Sequence, residues 1–318
     1  MQEPNALEIT NQSGLRARFS RLGARWTHMY VPDQQGEFAD VLLGFTADDD
    51  YRHAEEKYYG AVVGRYCGRI PHGTFYDHEK QIKLPLNDHG KHHLHGGVDA
   101  FHLKEWELIP ELVTENCIAL SLSSADGEQG YPGDLRVTVT YTLSDDNRLV
   151  FEVSAQTNRK TLVNVTNHAF FNLTGRAFDL VQHKLVISGD QLVQDEEFLL
   201  TGGVIGYDQA AEVPLKGQVS SAYRLKDTGN APQLTLREPT SGRFLKMYTN
   251  QPAVQLYNGF FMSGADRGKN GAVHQANTGL AIEPQHLAYG HLNVLRPNEI
   301  YKHLTTYQFG ADRQFTDV

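Results

Sequence analysis

Two ionisable residues that stand beside apolar sequence are the first candidates for chemistry in this chain. His168 directly precedes the apolar run 169–171, and Glu283 directly follows the apolar run 280–282. Burial lowers the pKa of an imidazole and raises that of a carboxyl group, so each group can act as an acid or a base near neutral pH. Together they supply a base and an acid without a nucleophile, a metal or a cofactor loop. That combination is suited to moving protons.

Each of these residues also has a purely structural interpretation. His168 is equally a core histidine that is hydrogen-bonded by Asn167 or Asn172, because buried polar groups are normally paired. Glu283 is equally the exposed end of a strand, where its carboxylate simply meets water. The residues alone leave both alternatives open.

Four histidines fall within residues 88–97. In an extended segment His93 and His95 lie on one face, which is the arrangement of a metal-binding pair. No regular spacing of cysteine, aspartate or glutamate ligands follows, so we expect a solvated loop and no metal. His95 differs from the others because Gly96 and Gly97 follow it and allow a sharp turn that presents its ring to a cleft.

A glycine-rich block at residues 59–70 carries two arginines, Arg65 and Arg69. The block matches neither the GxxxxGK[ST] phosphate loop nor the GxGxxG dinucleotide motif, which argues against nucleotide binding. We interpret its glycines as a crossing where the backbone passes close to another segment. The arginines are then expected to point into a cavity or to pair with carboxylates.

The elements that must hold these residues are predicted to be short β-strands. Residues 135–143 and 149–155 alternate apolar and polar side chains on the two sides of a turn. This pattern predicts a hairpin. The second strand of the hairpin leads directly into the stretch that contains His168, so His168 is expected near one end of the hairpin's sheet. A second hairpin is predicted at residues 234–237 and 244–248.

Other stretches complete the predicted secondary structure. Strand alternation places Gln255 and Tyr257 on one face, and residues 301–309 are predicted to form the last strand. Residues 46–59 are acidic and lack glycine and proline, which favours a short surface helix. Residues 202–223 show little apolar periodicity and are predicted to be rich in loops.

The pattern as a whole predicts one β domain. No heptads, repeats of 20 to 50 residues, low-complexity tracts or linkers interrupt it, so residues 1–318 are expected to form a single domain. The predicted fold class is all-β, with a large antiparallel β-sandwich.

Composition argues against several classes of partner. The chain has 318 residues, a net charge of -9 and no Lys/Arg block, so we expect no nucleic acid partner. No apolar run approaches the roughly 20 residues of a membrane helix, so we expect no membrane partner. Cys67 and Cys117 lack CxxC spacing, and the first residues lack the pattern of a secretory signal, so a cytoplasmic location is expected. The 15 histidines, 15 tyrosines and 15 phenylalanines suit a neutral polyhydroxylated ligand, although such residues also fill β cores.

Six motifs in this chain resemble those of the aldose 1-epimerase family, the galactose mutarotases, and they occur in the family's order. They are Gly60-Ala-Val-Val-Gly-Arg-Tyr-Cys-Gly-Arg-Ile, Leu94-His-Gly-Gly, Asp126-Gly-Glu-Gln-Gly-Tyr-Pro-Gly, Thr166-Asn-His-Ala-Phe-Phe-Asn-Leu, Val254-Gln-Leu-Tyr and Ile282-Glu-Pro-Gln. Each alone is a weak signal, but six in order are specific. The resemblance covers nearly the whole chain and implies a β-sandwich of the supersandwich type.

The resemblance also implies an activity and a set of site residues. The family consists of cofactor-independent isomerases that interconvert the α and β anomers of free aldohexoses such as galactose or glucose. By resemblance, Glu283 takes the proton of the anomeric hydroxyl while His168 donates one to the ring oxygen. The ring opens, the C1–C2 bond rotates, and closure gives the other anomer. Arg69, His95 and Gln255 match family positions that hydrogen-bond the sugar, so a monosaccharide is the expected partner of a monomer or homodimer.

Two positions depart from the family pattern. The family commonly has asparagine immediately before the second arginine, and this chain has Gly68 there. The family also carries an aspartate that binds sugar hydroxyls before the position of Tyr223, in a segment that is shortened here. Ser220 aligns with that aspartate and cannot supply an anionic acceptor with two oxygens. We therefore expect catalysis to survive with a changed affinity for galactose or a changed sugar preference.

Two alternative functions follow from the same residues. A mutarotase for phosphorylated hexoses requires a cationic pocket, which Arg65, Arg69 and Arg224 are candidates to supply. A sugar-binding β-sandwich without catalysis is the other alternative, because the family aspartate is missing. The presence of both His168 and Glu283 favours the enzyme.

Overall fold

Strands make up most of the regular secondary structure of this protein, in a computed structural model that describes residues 7–77, 79–288 and 291–312. In chain order the first strands are β1 (Leu7–Thr10), β2 (Arg16–Ser20), β3 (Arg25–Pro32), β4 (Phe38–Asp40), β5 (Val62–Val63), β6 (Arg69–Ile70), β7 (Thr74–Asp77), β8 (Lys80–Lys83), β9 (His93–Leu94), β10 (Glu107–Leu108), β11 (Cys117–Ser124), β12 (Leu135–Leu143), β13 (Arg148–Thr157) and β14 (Thr161–Leu162). The remaining strands are β15 (Thr166–Asn167), β16 (Phe170–Phe171), β17 (Lys184–Ile187), β18 (Gly189–Gln194), β19 (Leu200–Ile205), β20 (Ala211–Val213), β21 (Ser220–Leu225), β22 (Leu234–Arg237), β23 (Arg243–Thr249), β24 (Ala253–Tyr257), β25 (Ser263–Arg267), β26 (Val273–Gln275), β27 (Leu280–Gln285), β28 (Val294–Leu295) and β29 (Tyr301–Ala311). The helical segments are α1 (Asp48–His53) and short 3-10 turns at Pro71–Gly73, Phe101–Leu103, Pro110–Leu112, Glu128–Gly130, Leu180–Gln182 and Lys269–Gly271.

The largest sheet has nine antiparallel strands in the order β10-β11-β12-β13-β29-β23-β22-β17-β20. Its central hairpin, β12 and β13, is paired in register from Leu135 opposite Thr157 to Leu143 opposite Leu149. Apolar side chains of both strands are buried at every second position, as the alternation in the sequence predicts. The predicted hairpin of β22 and β23 is also confirmed, and it lies in the same sheet.

A six-stranded antiparallel sheet in the order β16-β27-β24-β21-β18-β19 forms the second layer, and a four-stranded sheet, β1-β2-β3-β4, adds to it. One core cluster joins the three sheets, with Trp26, Val139, Phe151, Leu256 and Ile282 among its buried side chains. Burial of a side chain of this size contributes roughly 1.5–3 kcal/mol. This core confirms the predicted all-β class with a large antiparallel sheet.

Three local predictions differ from the structure. Helix α1 covers only part of the predicted segment 46–59. The segment 202–223, predicted to be rich in loops, has loops at 206–210 and 214–219 but also contains the end of β19, all of β20 and the start of β21. Strand β19 is an edge strand whose side chains are mostly exposed, so it shows no apolar alternation. His168 lies outside the strands of the hairpin sheet, since it follows β15, which pairs with β5 in a separate two-stranded sheet.

Within the part of the chain that the structure describes, every helix is too short and too polar to cross a bilayer.

Candidate active site

A cavity of about 220 Å³ lies over the face of the six-stranded sheet that points away from the core. Strands β24 and β27 pair so that Gln255 lies opposite Glu283. Because side chains alternate along a strand, Leu256 and Ile282 enter the core while Gln255 and Glu283 line the cavity. The strand register therefore places these two polar side chains next to each other.

Glu283 is a buried carboxylate with 2% of its surface exposed. Its Oε1 atom lies 3.4 Å from Nε2 of His168, and its buried Oε2 atom has no hydrogen-bond partner among the residues that the structure describes. Burial raises the pKa of Glu283 and the carboxylate of Glu56 raises it further, while Arg69 opposes both effects. The structural interpretation of Glu283 as an exposed strand end is wrong.

His168 is held by its backbone against the glycine-rich block. The His168 N–H donates to the Ala61 carbonyl at 2.8 Å, and the Gly60 N–H donates to the His168 carbonyl at 3.0 Å. The side chain of Asn167 binds the Gly60 carbonyl and the backbone of residue 169 rather than the imidazole. Asn172 binds backbone groups and the Thr174 hydroxyl, so neither amide satisfies the ring. Among the described residues, the buried Nδ1 atom of His168 has no hydrogen-bond partner. The structural interpretation of His168 is therefore also wrong.

The pKa values of the His168–Glu283 pair move in opposite directions. Burial lowers the pKa of the His168 imidazole and raises that of the Glu283 carboxyl group, because it disfavours the charged form of each. Between these two pKa values the pair holds a single proton. Such a pair can give a proton to one oxygen of a ligand and take one from another without changing its own total charge.

His95 joins this pair by means of an unusual backbone turn. Its φ is 51°, and a Cβ on Gly96 would lie 1.8 Å from the Gly64 carbonyl oxygen, so only glycine fits there. The His95 Nδ1 atom accepts a hydrogen bond from the Gly68 N–H at 3.3 Å. The expected role of the glycines after His95 is confirmed by this geometry.

His93, which an extended segment would place on the same face as His95, does not reach the cavity. His93 hydrogen-bonds the Pro85 carbonyl and the Tyr131 hydroxyl at 2.8 and 2.7 Å, so it is a structural residue. A different group has suitable geometry, since ligand atoms of His95, His168 and Glu283 all lie within 4.8 Å of one another. Two imidazoles and a carboxylate form a donor set that suits Zn²⁺.

The two arginines of the glycine-rich block have different positions. Arg69 lines the cavity, donates from Nε to Asp88 Oδ2 at 2.6 Å and lies 5.1 Å from the ring centre of Phe198. Arg65 is buried elsewhere, and its guanidinium binds the hydroxyl and carbonyl of Ser124 and further backbone carbonyls. The expectation that it enters a cavity or pairs with a carboxylate is therefore wrong for Arg65.

The positions that depart from the family pattern both lie at the cavity. Ser220 lines it, and its Oγ accepts a hydrogen bond from Gln255 Nε2 at 3.1 Å. Gly68 also lines it, and a Cβ there would lie 3.5 Å from the Gln285 side-chain oxygen. The amide of Gln285 therefore lies close to the space in front of Gly68.

Several cavity residues were not predicted from the sequence. Glu56 and Tyr58 line the cavity from the segment between α1 and β5, and Phe198 lines it from the turn between β18 and β19. The Tyr58 ring lies 4.6 Å from that of His95 and 5.4 Å from that of His168. In the sequence, only their position just before or at the start of the glycine-rich block could have pointed to Glu56 and Tyr58. Nothing in the sequence pointed to Phe198.

Comparison with known proteins identifies relatives over nearly the full length. The family model described as aldose 1-epimerase matches residues 5–308. Galactose mutarotase of Mus musculus is 37% identical, over 91% of this chain and 89% of that protein. Galactose mutarotase of Homo sapiens is 35% identical, over 93% and 92%. Aldose 1-epimerase of Escherichia coli is 30% identical, over 96% and 95%.

Solved structures agree with this at the level of fold. A GalM/aldose epimerase homologue from C. elegans superposes with a TM-score of 0.89 at 27% identity, over 96% of this chain and 99% of that one. A galactose 1-epimerase from Lactobacillus acidophilus superposes with a TM-score of 0.79 at 23% identity, over 98% and 97%. The β-sandwich of this protein is thus the galactose mutarotase-like fold.

Proposed function

Because this chain belongs to the aldose 1-epimerase family, we propose that it interconverts the α and β anomers of free aldohexoses such as galactose or glucose, with Glu283 as base and His168 as acid. The protein is an isomerase. The observation that carries the residue assignment is the 3.4 Å approach of His168 Nε2 to Glu283 Oε1 in a cavity that buries both.

The reaction uses the single proton of this pair. Burial favours the form with the proton on Glu283, so the reactive form is the minor tautomer of the pair, with a charged imidazolium and a carboxylate. In this tautomer Glu283 accepts the proton of the anomeric hydroxyl while His168 donates one to the ring oxygen. The C1–O5 bond breaks, the aldehyde forms, and rotation about C1–C2 exposes its other face. Ring closure runs the two transfers in reverse and restores the pair. Each positioned acid or base typically contributes about 10² to 10⁴ in rate.

Arg69, His95 and Gln255 are proposed to bind the sugar. All three line the cavity, and Arg69 and His95 present groups that donate a hydrogen bond to a hydroxyl oxygen. Gln255 Nε2 already donates to the Ser220 hydroxyl and the Leu256 carbonyl, so Gln255 offers its Oε1 atom as an acceptor for a sugar hydroxyl. Since proton transfer alone opens and closes the ring, the reaction requires no cofactor. We further propose a cytoplasmic location, consistent with the two free cysteines, and a monomer or homodimer.

The alternative of a phosphorylated substrate is less well supported. Arg65 binds backbone carbonyls outside the cavity, and Arg224 is exposed and paired with Asp190. Among the described residues that line the cavity, Arg69 is the only lysine or arginine, and Asp88 neutralises it. A free sugar suits this charge distribution better than a phosphate ester.

The test is polarimetry of freshly dissolved α-D-galactose and α-D-glucose with wild-type protein, with Glu283→Gln and with the surface control Glu111→Gln. Wild type and the control should accelerate the relaxation of optical rotation equally, and Glu283→Gln should lose at least about a hundredfold of the rate. Glucose 6-phosphate, added as a third substrate, should be relaxed more slowly than glucose. A Glu283→Gln variant with unchanged activity would remove Glu283 from the mechanism.

A further inference from the structure

A third carboxylate lines the cavity and has no part in the reaction described above. Glu56 follows α1, and its Oε1 accepts a hydrogen bond from the Tyr58 N–H at 3.0 Å. Within the described residues, that is the one hydrogen bond its carboxylate accepts. The group therefore keeps acceptor capacity for a ligand.

The backbone of Glu56 is held in place by a buried aspartate. Asp266 on β25 is 8% exposed, and its two oxygens accept the N–H groups of Glu55 and Glu56 at 2.8 and 3.1 Å. The hydroxyl of Tyr59 donates to the same carboxylate at 3.2 Å. Glu55 instead turns its side chain to Ser263, whose hydroxyl it binds at 2.7 Å. This segment is thus a fixed support that directs Glu56, and not Glu55, to the cavity.

The carboxylates of the cavity differ in what they face. Asp88 is paired with Arg69, and Glu283 faces His168. Glu56 lines the same cavity, and no cationic or imidazole side chain is paired with it among the described residues. Burial raises the pKa of Glu56 to about 7, with the carboxylate of Asp266 adding to the effect and the Tyr58 N–H opposing it. A carboxyl group in this state accepts hydrogen bonds when ionised and donates one when protonated, which matches the two-way hydrogen bonding of a sugar hydroxyl.

We propose that Glu56 is a substrate-binding residue, whose carboxylate binds sugar hydroxyls other than the two oxygens that exchange protons with Glu283 and His168. Ser220, which also lines the cavity, does not supply an anionic acceptor, because its hydroxyl is neutral and already accepts a hydrogen bond from Gln255. Glu56 enters the cavity from the segment between α1 and β5, which is far in sequence from Ser220. This inference rests on the proposed function for the nature of the ligand.

The experiment compares Glu56→Gln and Glu56→Ala with the control Glu55→Gln. Binding of galactose and glucose is measured by titration calorimetry, and KM and kcat by polarimetry. Loss of a charged hydrogen bond should raise Kd and KM roughly 10- to 100-fold, with a smaller change in kcat. Glu55→Gln should leave all three constants unchanged. Glu56→Gln retains an oxygen for the Tyr58 N–H, so it reports on binding even if the alanine variant folds poorly.

A series of monodeoxy galactoses identifies the hydroxyl involved. Wild type should bind the sugar that lacks this hydroxyl more weakly than galactose, whereas Glu56→Ala should bind the two equally. Values of Kd for both Glu56 variants within twofold of wild type would overturn the assignment. A wild type that binds sugars without accelerating mutarotation would contradict the proposed function, while the same titrations would still decide the role of Glu56. A wild type that neither binds nor converts galactose or glucose would overturn both.

Discussion

Replacing Glu283 by glutamine is expected to stabilise the protein by an amount that grows with pH. The carboxyl group has an ordinary pKa of 4.5, and burial, followed by the charge of Glu56, raises it to about 8 in the folded protein. Between these two values the folded state holds a proton that the unfolded chain has released. The free energy of unfolding of the wild-type protein therefore falls as the pH rises from 4.5 towards 8, through the titration of Glu283.

The size of the effect follows from this interval. Each pH unit between the two pKa values corresponds to about 1.4 kcal/mol, so the cost of the buried acid is on the order of 3 kcal/mol at pH 7. Glutamine does not titrate. The free energy of unfolding of Glu283→Gln should thus be close to that of wild type near pH 4.5 and exceed it by a few kcal/mol above pH 7. Other titrating groups are common to both proteins and largely cancel in the difference.

The assay is urea unfolding of wild type and Glu283→Gln at several pH values between 4.5 and 8.5. Glu238 offers a matched control, because it too is 2% exposed. Burial alone raises its pKa, but hydrogen bonds from Ser241 and Thr240 outweigh this and lower it. The assayed range lies above the ordinary pKa of 4.5, where the stabilisation by Glu238 is already fully present. Glu238→Gln should therefore be less stable than wild type by an amount that hardly changes with pH. A stability difference for Glu283→Gln that is the same at pH 5 and pH 8 would refute the reasoning.

Three further outcomes are expected. Zn²⁺ should inhibit the enzyme competitively with the sugar by binding His95 and Glu283, with recovery on addition of EDTA, and EDTA alone should not reduce activity; a rate that is insensitive to excess Zn²⁺ would show that these ligand atoms do not converge. Gly96→Ala should unfold at a midpoint lower by several degrees in a thermal melt, because its Cβ would overlap the Gly64 carbonyl, and an unchanged midpoint would contradict the turn geometry. Ser220→Asp should lower KM for galactose severalfold by adding a charged acceptor beside Gln255, whereas an equal or higher KM would show that Ser220 lies away from the bound sugar.

Local sequence was sufficient for much of the fold. Alternating side chains identified the β12–β13 hairpin, because one face of each strand is buried and the other is not. The same reasoning failed at β19, since an exposed edge strand has no apolar face to alternate. Glycines beside His95 were interpretable because a positive φ and a close backbone contact admit no other residue.

The chain by itself also determined which residue types are available for proton transfer, and motifs in order identified the family. Only the tertiary structure decided how those residues meet. Strand pairing brings Gln255 opposite Glu283, and the glycine-rich block holds His168 at 3.4 Å from that carboxylate. The roles of Arg65 and Glu56 were likewise invisible in the sequence, since both depend on contacts with distant segments. Burial and separation in space set the pKa values and charges of a site, and neither is a property of neighbouring residues in the chain.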